Sequence, residues 1–323
     1  NEAKSVVIGR ERSYHGATLG ALAAGGHRAR RAPYEPLLAD WPRIGPAYPY
    51  RWAYSGTPEA QARAAAGELE ATLRETGPDR VAAFIAEPVG GASIPATHPH
   101  PAYYHEIRRI CDDHDILFIA DEVMTGFGRT GPRFAVDRFD VVPDILAIGK
   151  GLSGGYTPIG AAVVHRDIAN AFRPDGASFL HGHTFGGNPL SAAIAADVVD
   201  RYTPDVLATG RRRGQRIADG LDPLADHPNV GEVRHVGAML GLEFVRDRET
   251  KAPFDPDLHV ADRLYETLLD CGIYAYPGTG CVDGEAGDHL MLAPPLTVSD
   301  ASADRIAAAT VEAVRTVMDD LPG

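Results

Sequence analysis

Two stretches of the chain, 81–87 (VAAFIAE) and 116–121 (ILFIAD), are unbroken apolar runs that each end at an acidic residue. Apolar character without alternation predicts strands buried on both faces of a parallel sheet. Between them, 101–115 (PAYYHEIRRICDDHD) places apolar residues at helical spacing, so the three segments predict a βαβ unit. SVVIG (5–9), DILAIG (144–149) and IGAAVV (159–164) read as further short strands, and 188–202 as a helix. From about residue 205 the pattern changes to a helix (206–221), three strands (GAMLGLEFV, GIYAYPG, HLMLAP) and a last helix from Ser299 to Met318. The expected organisation is a large α/β domain over 1–204 and a smaller α+β domain over 205–323. With no repeat, low-complexity stretch or polar linker between them, the two parts are expected to pack closely. A strand beginning within four residues of Asn1 reads as a chain cut from something longer.

Composition narrows the function classes. The 323 residues are 44% hydrophobic and 23% charged, ordinary for a globular chain with a sizeable core. No apolar run reaches the ~18 residues of a membrane span. The formal net charge of −13 has the wrong sign for tracking a phosphate backbone, so nucleic acid is not an expected partner. Cys111, Cys271 and Cys281 are odd in number and show no C-x-x-C spacing, which argues against a disulfide framework or a structural zinc site and for a reducing, cytoplasmic compartment.

Candidate chemistry follows from position. In open α/β sheets ligands bind beyond the carboxyl ends of the strands, which directs attention to Glu87, Asp121 and the loop after Ile148. Lys4, Lys150 and Lys251 are the only lysines, leaving 28 of the 31 basic residues as arginine. Lys150 stands between an apolar run and the flexible GLSGG; a partly desolvated amine there would have a lowered pKa and suit covalent chemistry with a carbonyl, the plain alternative being an exposed lysine at a strand end. Other templates fit the segment poorly. Lys150 is followed by glycine rather than Ser or Thr, so a triphosphate-binding loop fails. Gly151–Gly155 matches the nucleophile elbow G-x-S-x-G formally, but Pro158 and a strand-like run follow where an elbow needs a helix. His181 and His183 have metal-ligand spacing without a third ligand nearby, and no metal is claimed. Asp121, at the end of an apolar run, needs a proton or a cationic partner if buried, unless it simply tethers a loop; the same choice holds for Glu87. An acid and a lone amine at neighbouring strand ends are what pyridoxal phosphate requires.

Several long segments, SYHG (13–16), AEPV (86–89), ADEVMTGFGRTG (120–131), PDILAIGKGLSGGYTPIGA (143–161), HTFGGNPLSAAIA (183–195) and LAPPLTVSD (292–300), occur in the order found in one family. The chain resembles the class III, omega-type aminotransferases, pyridoxal-phosphate enzymes of fold type I with a mostly parallel large domain. The resemblance implies that Lys150 carries the cofactor and moves a proton during catalysis, and that Asp121 partners its ring nitrogen. It places Val123 against one ring face, on the same side of an extended segment as Asp121, and Tyr14 against the other, with His15 and Gly16 completing the loop. Glu87 is expected close to the cofactor, in a role the resemblance leaves open. Thr184 resembles a threonine that reaches the cofactor phosphate of a neighbouring subunit, implying a homodimer. The substrates implied are a small-molecule amine or amino acid and a keto acid or aldehyde. Racemases, epimerases and decarboxylating relatives would use the same Lys150 and Asp121, and a catalytically silent homologue is a further alternative.

Two departures from the family pattern stand out. Asn1-Glu2-Ala3 looks like the tail of the phosphate-binding motif, with the helix that usually follows it absent. Two residues before APPL, where many members carry a carboxylate-clamping arginine, stands Met291. The expectation is weak use of α-amino acids through that position: another arginine must hold a carboxylate, or the substrate is an amine, an aldehyde or an acid with its carboxylate farther from the amine.

Overall fold

The computed structural model describes residues 4–172 and 178–321. Asn1-Glu2-Ala3 therefore lies outside the described residues. Six strands, β1 (Val6–Arg10), β2 (Arg43–Ile44), β3 (Val81–Ala86), β4 (Leu117–Asp121), β5 (Ile145–Ile148) and β6 (Ala161–Val164), form one sheet in the order β2-β1-β3-β4-β5-β6. All its pairings are parallel except β5 with β6, which is antiparallel and leaves β6 as an exposed edge. The order places β3, β4 and β5 side by side, with Ala86 opposite Ala120 and Asp121 opposite Ala147, so their carboxyl ends converge on one rim.

One layer over this sheet is built by two helices that pack against each other, Pro58–Thr76 and Ala102–Asp113. The first starts where the Thr57 hydroxyl accepts the Ala60 N–H at 3.3 Å and proline occupies the first turn, whose N–H groups lack helical partners anyway. It stops at Gly77, whose φ of 89° a side chain resists. Its Ala62, Ala65, Ala66, Leu69 and Leu73 meet Tyr103, Tyr104, Ile107, Ile110 and Cys111 of the second in one core with Ile8, Phe84 and Phe118 of the strands.

Four further strands, β7 (Val230–Val236), β8 (Met239–Phe244), β9 (Tyr276–Gly278) and β10 (Asp288–Leu292), make an antiparallel sheet ordered β7-β8-β10-β9. The helices Pro204–Gly220, Val260–Asp270 and Asp300–Asp319 bury Ile217, Leu264, Leu268, Val314 and Val317 against it in a second core. Val236, Met239 and Met291 of this sheet belong to the first core instead, tying the two sheets together.

The βαβ unit forms as its periodicity predicts, and the long apolar runs become strands within a residue or two of their expected ends. The strand β7 has no apolar run to announce it: Glu232 and Arg234 interrupt VGEVRHV, and Arg234 is nevertheless buried. Only the last three residues of GIYAYPG pair as β9.

Candidate active site

A cavity of about 320 Å³ opens at the rim where β3, β4 and β5 end, lined by Tyr14, His15, Gly16, Glu87, Asp121, Val123 and Lys150, with Arg30, Ala92, Met124, Thr125 and Tyr276. Seven of the eight residues singled out from the sequence thus share one space, at the lower end of the ~300–1,000 Å³ typical of ligand pockets. The eighth, Thr184, lies elsewhere: it is exposed in the loop before Asn188, whose neighbours His183 and Phe185 line a separate surface cavity.

Asp121 ends β4 and is buried. His15 Nδ1 lies 2.7 Å from one carboxylate oxygen, and the other accepts the Val123 N–H at 3.1 Å. The second histidine nitrogen, Nε2, is buried without a hydrogen-bond partner in the protein. Because this atom belongs to a residue that lines the cavity, it leaves a hydrogen-bonding position open to a bound group. Val123 reaches the cavity differently from the sequence-based reading: it lies in a turn after the strand, so the turn, not strand alternation, brings it beside Asp121. That turn is anchored by Glu122, which is fully buried, bonded by the Thr125 hydroxyl and by the Val136 N–H at 2.9 Å.

Glu87 follows β3 and accepts the Gly91 N–H at 3.2 Å. Burial pushes its carboxyl above the usual carboxylate range, opposed chiefly by His15. Arg10 and Tyr104 hold its backbone carbonyl at 2.5 and 2.8 Å, fixing the segment as it leaves the strand. Gly16 has φ of 127°, which side chains resist, and so lets the Tyr14–Gly16 loop turn against the cavity.

Lys150 follows β5 and Gly149 with φ of 40°. A non-glycine residue in the left-handed region costs ~1–3 kcal/mol and tends to mark functional sites. The desolvated setting expected for its amine is not found: Lys150 is exposed in this chain and borders the cavity. The segment after it makes a short 3-10 turn closed by Gly154 with φ of 59°. Ser153 is buried there and donates to the Thr157 carbonyl at 2.6 Å, so it presents no exposed nucleophile. His181 and His183 are exposed, and no cluster of three metal-ligating side chains occurs among the described residues.

Met291 is not a cavity residue. Its side chain is buried in the first core, opposite Tyr276 in the β9–β10 register, and it is Tyr276 that lines the cavity. Arg30 and Tyr276 carried no signal in the sequence: one is an arginine among 28, the other a tyrosine in a nearly apolar run. The pairing of residues so distant in the chain appears only with the second sheet in place.

An amine and a carboxylate on neighbouring strand ends, a tyrosine and a valine in the walls and an orphaned histidine nitrogen fit a heteroaromatic aldehyde cofactor, the arrangement of a fold type I pyridoxal-phosphate site. The family model for class III aminotransferases matches residues 1–314, and the chain belongs to that family; it is a pyridoxal-phosphate-dependent aminotransferase. It is 37% identical to the uncharacterized aminotransferase YodT of Bacillus subtilis over 98% of this chain and 72% of that protein. To gamma aminobutyrate transaminase 2 of Solanum lycopersicum it is 34% identical over 92% of this chain and 64% of the relative. Among solved structures, an (S)-enantioselective omega-transaminase from Thermomicrobium roseum superimposes with a TM-score of 0.89 at 32% identity, over 98% of this chain and 69% of that one. The chain thus spans roughly two thirds of the length of the proteins it matches. Among the described residues no helix is long and apolar enough to cross a membrane.

Proposed function

We propose that this chain carries the exchange of an amino group between an amine or amino acid donor and a keto acid or aldehyde acceptor, in two half-reactions at the cavity containing Lys150 and Asp121. The observation that carries this reading is their placement on neighbouring strands, with Tyr14 and Val123 lining the same space. When bound, pyridoxal phosphate supplies an electrophilic aldehyde and an electron-withdrawing ring. Lys150 Nζ is the group that would hold the cofactor covalently and, once freed by the incoming amine, would carry the proton to and from the substrate carbon. Asp121 would hold the cofactor's ring nitrogen, with His15 keeping its carboxylate from rotating. Tyr14 and Val123 would confine the ring, Gly16 lets the loop approach, and Glu87 offers a buried carboxyl to the same cavity.

In this reading the protein works as a homodimer, with Thr184 donating to the cofactor phosphate of the neighbouring site. Support comes from the apolar side chains exposed in the same stretch of chain: Leu180 is 94% and Phe185 70% exposed, as are Phe179 and Leu190. Exposed apolar residues clustered this way mark an interaction surface. The division into a large domain to residue 204 and a small one from 205 belongs to the same reading, as does a cytoplasmic setting, for which the free thiols of all three cysteines speak.

The test is reconstitution with pyridoxal phosphate followed by borohydride reduction and peptide mapping. A yellow protein whose reduced adduct maps to Lys150, and whose colour is bleached by an amine and restored by a keto acid, is expected. An adduct at Lys4 or Lys251, or no adduct, refutes the assignment.

A further inference from the structure

We propose that Arg30 is the substrate-carboxylate anchor of this cavity, so that at least one partner in the exchange is an amino acid or keto acid gripped by its carboxylate. The proposal rests on the aminotransferase reading above and adds the substrate class. Three neighbouring arginines make the argument. Arg28 is exposed and pairs with Glu285 at 2.8 Å. Arg31 is buried and spends its guanidinium on backbone carbonyls, those of Leu22, Ala23 at 3.0 Å and Gly25 at 2.9 Å. Arg30, half-buried between them, lines the cavity and has only neutral partners: it donates to the Tyr276 hydroxyl and lies 4.2 Å over the Tyr14 ring centroid.

A guanidinium has five N–H donors in a planar fork that matches a carboxylate. Among the described residues Arg30 makes no ion pair, although Glu87 and Asp121 line the same cavity. Those two carboxylates are engaged elsewhere, by the Gly91 N–H and by His15 and the Val123 N–H. Arg30 is therefore a cation held in place by two aromatic side chains, one from the loop at Tyr14 and one from β9, with its fork uncommitted to protein carboxylates. Tyr14 stacking and Tyr276 bonding fix the plane of the fork, which limits the entropy lost on binding an anion.

The experiment uses protein reconstituted with pyridoxal phosphate and follows the first half-reaction by its colour change, so that no acceptor carboxylate intervenes. Alanine, β-alanine and 4-aminobutyrate are compared with butylamine, which lacks a carboxylate, and butyrate is titrated as an unreactive ligand by calorimetry. Arg30→Ala is expected to raise KM for the preferred amino acid and to weaken butyrate binding by about 10- to 100-fold, the effect of losing a charge-assisted hydrogen bond. Butylamine kinetics are expected to change far less, within about threefold, with the cofactor still loaded. Tyr276→Phe, which removes only the orienting hydroxyl, gives a smaller rise of about 3- to 10-fold for the amino acid alone and decides the matter if Arg30→Ala does not fold. Equal losses for butylamine and amino acid, loss of cofactor loading, or unchanged KM and butyrate affinity would overturn the proposal. If no amine bleaches the loaded protein, the aminotransferase reading fails by itself, while Arg30-dependent butyrate binding still judges the anion site.

Discussion

The two sheets both bury ionisable groups, but they do so in opposite ways. In the antiparallel sheet a buried glutamate and two arginines are spent on one another. Glu243, fully buried in β8, is bonded by Arg51 Nε at 2.7 Å and by Arg234 at 3.1 Å, and Arg234 also donates to the Pro95 carbonyl at 2.8 Å. At the rim of the parallel sheet, Asp121, His15, Glu87, Arg30 and Lys150 converge on a cavity. Charges satisfied within the protein hold the fold together, whereas charges that converge on open space, beside a strained backbone at Lys150, mark where chemistry is done.

The sharpest way to break this contrast is at Lys150. Lys150→Gly removes the amine and relieves a φ of 40°. Activity is expected to fall by at least ~10³-fold, while denaturant unfolding shows stability unchanged or raised by up to about 1 kcal/mol, the relieved strain outweighing the greater freedom of an unfolded glycine. A variant that lost stability along with activity would mean that the lysine is a structural residue.

Glu243 should behave in the reverse manner. Glu243→Ala leaves Arg51 and Arg234 without their shared carboxylate and is expected to cost ~3–5 kcal/mol by urea denaturation. Cofactor loading and turnover per folded molecule should not change. A turnover loss exceeding tenfold in the folded fraction would connect this pair cluster to the cavity and blur the distinction.

A third measurement uses pH. Burial, reinforced by the positive charge of Arg234, lowers the His289 pKa from 6.5 to about 3. Because the folded pKa lies below the unfolded one, the ring stays neutral in the fold while the unfolded chain takes up a proton, so stability is present above pH 6.5 and is lost as pH falls toward 3. The loss by about pH 4.5 is expected to be ~2–3 kcal/mol. In His289→Gln the acid limb of the stability curve should be shallower by that amount; an unchanged limb would assign the acid sensitivity to other groups.

What could be read in the sequence divides along the same line. The parallel sheet was legible because burial on both faces leaves unbroken apolar runs, and the chemistry at its rim because those runs end in Glu87, Asp121 and Lys150. The charge cluster of the antiparallel sheet was not, because Arg234 and Glu243 look like exposed positions in strands until their partners from 48–51 and 95 are packed over them. The arginine of the cavity was hidden for a related reason: Arg30 acquires meaning only from Tyr276, some 246 residues later in the chain. Position 291 misled in the other direction. It was read as a substrate-facing site by its place before APPL, but its side chain is covered in the first core, and its cross-strand neighbour on the same face, Tyr276, is the one that borders the cavity.

Met291 therefore supplies the finest test of where the cavity ends. It lies directly across from Tyr276 in the β9–β10 register, so a site reaching one strand farther would include it. Since its side chain is only 4% exposed and packs with Val236 and Met239, Met291→Leu is a nearly volume-conserving core exchange, expected to cost less than ~1.5 kcal/mol. The ratio of amino acid to butylamine turnover should not move, because neither side chain meets the substrate. A shift of that ratio by tenfold or more would place Met291 in contact with substrate after all, and the boundary between the charge-paired sheet and the reactive rim would have to be redrawn through β10.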